Sequence, residues 1–187
     1  MTGTDSRTAM TTSDQQYLSR KPIGYSYRVE DRIYAGEYPV SEWDQGVRMS
    51  QVRLFTDFGI TDFLDLTPTG EMPPYEQFLP SGVRRHTFPI PNWGVPESVG
   101  AVCGLFDRVS AMLDERPGMN LYIHCHGGVG RTGTIVACWY IYRGMDFDAA
   151  LAQMRRRFAT NPRSAWSHAP ENQLQLDFIR EFAAKCR

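Results

Sequence analysis

Cysteine is scarce in this chain of 187 residues, and no apolar run approaches the length of a membrane-spanning helix. The four cysteines form no CxxC pair and are too few and too scattered for the disulfide framework of a secreted protein. Residues 1–20 are polar and have no apolar core, so they do not resemble a signal peptide. Because free thiols persist in reducing compartments, we expect a cytoplasmic protein. The cysteines are Cys103, Cys125, Cys138 and Cys186.

The sequence also lacks a charge excess of either sign. Twenty basic residues stand against 21 acidic ones, which leaves a formal net charge of -1. Nucleic acids and anionic membranes attract strongly basic surfaces, so we predict neither as a partner. A hydrophobic content of 42% is typical of a globular chain with a core of its own.

The order of the predicted elements indicates an α/β fold. We predict a flexible tail over residues 1–22 and a single domain over residues 23–187. Strands are predicted over residues 25–29, 32–35, 61–66, 83–88 and 120–124. Helices are predicted over residues 41–59, 97–116, 132–142, 146–158 and 170–186. Strands that alternate with helices favour a three-layer α/β/α domain around a central, mostly parallel sheet.

One segment has the composition of a phosphate-binding loop. A predicted strand ends at His124, a glycine-rich turn follows, and a helix starts near Thr132. Such a turn gathers backbone N–H groups at the positive end of a helix dipole, where a phosphate-sized anion binds. The segment reads His124, Cys125, His126, Gly127, Gly128, Val129, Gly130, Arg131 and Thr132.

The same loop provides a nucleophile. Cys125 stands at the start of the turn, where the N–H groups and the Arg131 guanidinium would stabilise a thiolate. Arg131 can also grip two phosphate oxygens at once. Thr132 can donate its hydroxyl to the sulfur, and His124 can orient the cysteine from the end of the strand. We therefore predict a thiolate aimed at a bound phosphorus atom.

The segment has two other interpretations. Cys125 could be a buried structural thiol beside a tight turn, as we predict for Cys103 and Cys138, because free cysteine commonly packs as a small hydrophobe. Zinc could be bound by His124, Cys125 and His126, with a fourth ligand from elsewhere in the chain. Adjacent strand residues point to opposite faces, which disfavours a zinc site.

The pattern His-Cys-x5-Arg-Thr resembles the signature of the protein tyrosine phosphatase superfamily, and other segments resemble small bacterial dual-specificity-type phosphatases. The resemblance implies a phosphocysteine intermediate on Cys125 and no metal or organic cofactor. It implies that Arg131 and the amides of residues 126–131 bind phosphate. It also implies that Gln175 orients the hydrolytic water; the alternative is that Gln175 faces solvent on the last helix. The supporting segments lie at residues 35–39, 65–67, 89–96 and 170–175.

Asn92 departs from the family pattern. In the family, the loop before the long helix supplies an aspartic acid as general acid, and Asn92 occupies the matching position. An amide cannot release a proton, so turnover is predicted to be impaired. Asn92 could also be an engineered trap, a feature of a domain that only binds, or an ordinary turn residue. If it is native, another carboxylate would act as the acid, with Asp65, Glu71 and Glu97 as candidates.

The predicted partner is a phosphorylated protein or a small phosphomonoester. The loop has no lysine of the kind found in phosphoinositide-selective relatives, which disfavours an inositol lipid. Trp93 and His126 are candidates for the rim of a shallow site. We predict a tyrosine or dual-specificity phosphatase, with a phosphate-recognition module as the alternative. A thiol redox protein related to arsenate reductases is disfavoured because no second cysteine lies near Cys125.

Overall fold

The structure, a computed structural model, describes residues 20–41 and 44–186. Most of the predicted tail, residues 1–19, lies outside the described residues. Glu42 and Trp43, where the sequence predicts the acidic start of the first helix, lie outside them too. The division into a tail and one domain therefore stays a prediction.

Five strands form one sheet in the described part of the chain, in the order β1-β2-β5-β3-β4. The first two strands pair antiparallel, and every other neighbouring pair is parallel. The central strand β5 is buried throughout, as expected for a strand covered on both faces. The strands are β1 Ser26–Glu30, β2 Ile33–Gly36, β3 Asp62–Asp65, β4 Arg84–Thr87 and β5 Leu121–His124.

Side-chain caps start four of the five helices found among the described residues. Asp44, Ser98, Asp146 and Asn172 each accept a hydrogen bond from the backbone N–H three residues later. No helix in this part of the chain is long and apolar enough to cross a membrane. The helices are α1 Gln45–Phe58, α2 Val99–Glu115, α3 Gly130–Tyr142, α4 Phe147–Phe158 and α5 Gln173–Lys185.

The sheet is covered on both faces. Alternate strand residues point to opposite faces, so in β5 Tyr122 joins one apolar cluster while Leu121 and Ile123 join the other. The cluster around Tyr122 is largely aromatic and includes Phe55 of α1. The larger cluster contains the buried faces of α2, α3, α4 and α5. These two clusters confirm the predicted three-layer α/β/α architecture.

Helix α3 is the most deeply buried helix, and it begins at the phosphate-loop segment. All its residues except the last are buried. Trp139 Nε1 donates to Glu30 Oε1 over 2.9 Å, and Tyr140 Oη donates to the Val29 carbonyl oxygen over 2.7 Å. Helix α3 packs against α4 and α5 and against the strands that flank it. Its first turn is therefore held rigidly at the end of β5.

This packing makes a clear stability prediction. Ile135 in α3 is fully buried, whereas Leu174 in α5 is 55% exposed. Ile135→Ala should lower the free energy of unfolding by about 2–5 kcal/mol, because it removes buried methylenes and leaves a cavity. Leu174→Ala is the control and should change it by less than about 0.5 kcal/mol. Urea denaturation measures both, and equal losses in the two variants would contradict the described packing.

Candidate active site

Cys125 lies directly after β5, and α3 begins five residues later at Gly130. The carboxyl ends of the parallel strands meet at this edge of the sheet, which is where ligands bind in open α/β folds. The Cys125 side chain is buried, and the Gly128 N–H donates to its Sγ atom over 3.3 Å. The predicted strand, loop and helix are thus present, with a backbone donor on the sulfur.

Gly128 is required by the shape of the loop. Its φ angle of 71° lies in the left-handed region, which disfavours residues that have a Cβ. A Cβ atom on Gly128 would also overlap the backbone of Gly36 and Glu37 at the end of β2. The Tyr38 N–H donates to the His126 carbonyl oxygen over 2.9 Å on the same side. The loop therefore rests backbone against backbone on the end of β2.

Arg131 is held by a carboxylate. Its Nη1 and Nη2 atoms donate to the two carboxylate oxygens of Glu71 over 2.8 and 2.6 Å. Its Nη1 atom also donates to the Ile90 carbonyl oxygen over 3.3 Å. Burial acts to lower the pKa of Arg131, but its interactions with Glu71 and Cys125 more than offset this and raise the pKa. The guanidinium is a permanent, preoriented charge beside the sulfur.

His124 is fully buried and anchors the end of β5. Its Nε2 atom shares a 2.8 Å hydrogen bond with the Tyr75 hydroxyl, and its Nδ1 atom lies 3.8 Å from Asp65 Oδ1. Burial lowers the pKa of His124 to about 4, although the charge of Asp65 acts in the opposite direction. The ring is therefore neutral near pH 7 and stabilises the strand end on the aromatic side of the sheet.

Thr132 lies in the first turn of α3. It is fully buried, and its Oγ1 atom has no hydrogen-bond partner among the described residues. A buried hydroxyl without a partner is unusual, so this one is available to a group in the loop. In the same part of the chain, His, Cys, Asp and Glu side chains nowhere gather in threes in a way that suits a metal ion.

The loop carrying Asn92 is tied to the start of α5. The Asn92 side chain is exposed, and its Oδ1 atom accepts a hydrogen bond from the Trp93 N–H over 3.1 Å. Asn172 Nδ2 donates to the Trp93 carbonyl oxygen over 2.9 Å, and Gln175 Nε2 donates to that of Gly94 over 3.3 Å. The turn conformation expected for an asparagine is present, and the loop is fixed at two points.

Gln175 is not solvent-facing. Its residue is fully buried, so a position on the exposed side of the last helix is wrong. Its Oε1 atom accepts a hydrogen bond from the Glu171 N–H over 2.9 Å. A Cβ atom on Gly130 would come within 2.8 Å of Gln175 Nε2, so the amide lies against the phosphate loop.

Glu171 is the site residue that the sequence analysis missed. Its carboxylate accepts a hydrogen bond from the Gly130 backbone N–H, and a Cβ atom on Gly130 would overlap it. Burial raises the pKa of Glu171, while this hydrogen bond and the charges of Arg131 and Arg163 oppose the rise without cancelling it. A carboxylate just before a helix N-cap, in a segment that already resembled the family, was the available signal.

The three carboxylates named from the sequence differ in their surroundings. Asp65 is fully buried and accepts hydrogen bonds from Thr67 and Arg85. Glu71 is engaged by Arg131, as described above. Glu97 is exposed near the start of α2. Two of the three are thus held in ion pairs, and the third is exposed.

The two residues predicted for the rim are both exposed. His126 is exposed and borders a cavity of about 300 Å³ that Tyr38 and Arg163 also line. Arg163 Nη2 donates to Glu37 Oε2 over 2.6 Å, which keeps a basic side chain at this cavity. Trp93 is 60% exposed, so it is not part of the core.

Comparison with known proteins identifies the family. A family model described as "Swiss Army Knife protein, DSP-PTPase phosphatase domain" (PTP-SAK) matches residues 37–174. The chain belongs to this phosphatase family. The match contains both the loop of residues 124–132 and the Asn92 loop, and it confirms the resemblance to the protein tyrosine phosphatase superfamily.

Curated relatives include phosphatases of viruses and animals. The chain is 31% identical over 117 residues to putative tyrosine phosphatase 067L of Invertebrate iridescent virus 3, covering 61% of this chain and 44% of the relative. It is 27% identical over 175 residues to protein tyrosine phosphatase domain-containing protein 1 of Mus musculus, covering 84% and 21%. The chain thus spans less than half the length of these relatives.

Solved structures share the fold. Tk-PTP in its active form has a TM-score of 0.67 at 24% identity, covering 86% of this chain and 97% of that one. Kinase associated phosphatase, with its catalytic site cysteine replaced by serine, has a TM-score of 0.66 at 21% identity, covering 82% and 86%. At these identities the likeness shows the fold, an α/β sheet flanked by helices.

The buried His124 predicts a specific pH dependence of stability. The unfolded chain binds a proton on this ring below about pH 6.5, whereas the folded protein resists it until about pH 4. Stability from this group is therefore complete above pH 6.5 and is lost as the pH falls toward 4, by up to about 3 kcal/mol. His124→Gln should lose correspondingly less than the native chain between pH 7 and 4.5 in urea denaturation.

The control for this prediction is His168→Gln, at an exposed histidine. That variant should lose stability on acidification in parallel with the native chain. Parallel curves for His124→Gln would show that the buried ring does not stay neutral.

Proposed function

We propose that this chain is a cysteine-dependent protein phosphatase of tyrosine or dual specificity, which hydrolyses phosphomonoesters through a phosphocysteine on Cys125. The observation that carries the proposal is the Cys125 sulfur, which accepts the Gly128 N–H at the base of the loop, beside Arg131. A family match over residues 37–174 supports the same chemistry. Thiolate, amides and guanidinium are the three elements that this reaction requires.

In the first step, the phosphoryl group binds to the backbone amides of residues 126–131 and to the Arg131 guanidinium. The other residues of this loop are His126, Gly127, Gly128, Val129 and Gly130. The thiolate of Cys125 attacks phosphorus, a sulfur–phosphorus bond forms, and the bond to the ester oxygen breaks. Arg131 needs little reorganisation because Glu71 already orients its guanidinium. Fixed donors then stabilise the charge that develops on the phosphoryl oxygens.

In the second step, water attacks the phosphocysteine and releases phosphate. We assign the orienting of this water to Gln175, and the position of its buried amide against Gly130 supports the assignment. The Thr132 hydroxyl, which lacks a partner, donates to the departing sulfur and stabilises it as a thiolate. His124 acts from the strand end as a neutral, structural support.

Asn92 occupies the general-acid position and cannot donate a proton. A positioned general acid contributes about 10²–10⁴-fold to a rate, equivalent to roughly 3–5 kcal/mol of barrier. Turnover of alkyl and aryl esters with poor leaving groups is therefore impaired unless another carboxyl group supplies the proton. Activated aryl phosphates escape this penalty because their leaving groups need little protonation.

The substrate class follows from the rim of the site. We infer a phosphorylated protein or a small phosphomonoester, reached through a shallow mouth beside His126 and Trp93. One structural neighbour, PTPMT1, was solved in complex with PI(5)P, at 18% identity to this chain. The loop here has no lysine, so we favour phosphoprotein over phosphoinositide.

Asn92 also favours a second candidate function, a phosphate-recognition module or substrate-trapping form with the same pocket and negligible turnover. Both candidates need Cys125 and Arg131 for binding, and they differ only in whether a phosphocysteine forms and is released. The two functions are therefore distinguished by the amount of phenol that an aryl phosphate releases before the steady state.

We predict a burst of aryl alcohol from dinitrophenyl phosphate, stoichiometric with the protein, followed by slower steady turnover. Cys125→Ser should abolish both phases because the serine hydroxyl is not ionised near neutral pH. Vanadate should inhibit the native chain, and the serine variant should still bind a phosphopeptide. A native chain that binds phosphopeptide without any burst would establish the recognition module instead.

A further inference from the structure

We propose that Glu171 is a catalytic residue that performs the proton transfers which Asn92 cannot perform. The inference rests on the proposed phosphatase function and deepens it by naming the acid and base of that reaction. It makes the domain an active phosphatase for esters with poor leaving groups, since its general acid comes from the start of α5 and not from the Asn92 loop.

The geometry places Glu171 at the bound phosphate. Its Oε2 atom lies against Gly130, where a Cβ atom would overlap it, and the Gly130 N–H is among the amides that would hold the phosphoryl group. Gly130 is the first residue of α3, so its N–H has no partner within the helix. A carboxyl group on this amide is within reach of an ester oxygen attached to a phosphoryl group in the same loop.

Other contacts fix the position of Glu171. Gln175 Oε1 accepts its backbone N–H over 2.9 Å, and Gln175 Nε2 donates to the Gly94 carbonyl oxygen over 3.3 Å. Asn172, the next residue, caps α5 by accepting the Gln175 N–H over 2.9 Å. Gln175 is thus a positioning residue for Glu171. The proton therefore does not have to come from the loop that carries the exposed Asn92.

The electrostatic surroundings suit a proton donor. Burial raises the pKa of Glu171 above its ordinary value, against the opposing effects of the Gly130 N–H and the nearby Arg131, Arg163 and His126. A phosphoryl dianion that binds to the same amides repels a carboxylate and holds the proton on it. Substrate binding therefore favours the protonated form that the first step requires.

Each step balances with Glu171 as acid and base. In the first step, the Cys125 thiolate forms a bond to phosphorus, the bond to the ester oxygen breaks, and Glu171 gives its proton to that oxygen. In the second step, Glu171 accepts a proton from the attacking water as the oxygen–phosphorus bond forms. Cys125 leaves as a thiolate, and the enzyme returns to its starting state without any other reagent.

The test compares two substrates that differ in their need for protonation. Glu171→Gln should lower kcat for phenyl phosphate by about 10²–10³-fold. It should lower the rate constant of the burst with dinitrophenyl phosphate by less than about tenfold. Glu181→Gln, at an exposed position of the same helix, should match the native chain on both substrates. Equal losses on the two substrates, or no loss on phenyl phosphate, would overturn the inference.

A second variant tests the same idea through residue 92. Asn92→Asp should raise phenyl phosphate turnover less than about tenfold in the native chain, because Glu171 already donates the proton. A gain of about 10²-fold or more would contradict the role of Glu171. Vanadate-induced thermal stabilisation of the Glu171→Gln variant should match that of the native chain, and its loss would mean that Glu171 only builds the pocket.

Failure of this inference is distinguishable from failure of the proposed function. If the native chain gives no Cys125-dependent burst with dinitrophenyl phosphate, the phosphatase function itself fails. If the burst is present and Glu171→Gln hydrolyses phenyl phosphate at the native rate, only the role of Glu171 fails.

Discussion

The contact between two stretches of bare backbone, at Gly128 and Gly36, determines the rest of the site. Because Gly128 has no side chain, the phosphate loop lies directly on the end of β2, where the Gly128 N–H donates to the Cys125 sulfur. Any larger residue at Gly128 would have to displace the strand or the loop. The preorganised donors, the buried thiol and the approach of Arg131 all presuppose this contact, and the burial of α3 behind it keeps the loop from relaxing.

Two carboxylates from distant segments complete the loop in different ways. Glu71 neutralises and orients Arg131 from the connection between β3 and β4, so it acts on the phosphate through the guanidinium. Glu171 approaches from the start of α5 and lies against the backbone of Gly130. The two acids therefore have different tasks, because Glu71 is paired with the Arg131 guanidinium whereas burial raises the pKa of Glu171 above its ordinary value.

The strand, the loop and the start of α3 could be predicted because they are contiguous in sequence. The residue types and their spacing indicate the chemistry of this segment. The fold class and the order of elements followed in the same way from alternating strand and helix patterns. Contacts across long separations were not predictable. Nothing local indicates that Glu71 reaches Arg131, 60 residues away, or that Glu171 reaches Gly130. Gln175 shows the same limit, since the sequence left a water-orienting role and a solvent-facing position both open, whereas contacts with Glu171 and Gly94 hold it inside.

The two hydrogen bonds that fasten Trp93 and Gly94 to α5 have a consequence for ligand entry. A flap that must swing shut costs entropy at every encounter and rewards ligands large enough to pull it closed. Here the loop that carries Asn92 is already fixed, so small and large phosphate esters enter the same preformed site. Discrimination among them then depends on what each ester contacts outside the loop, where the indole of Trp93 is 60% exposed.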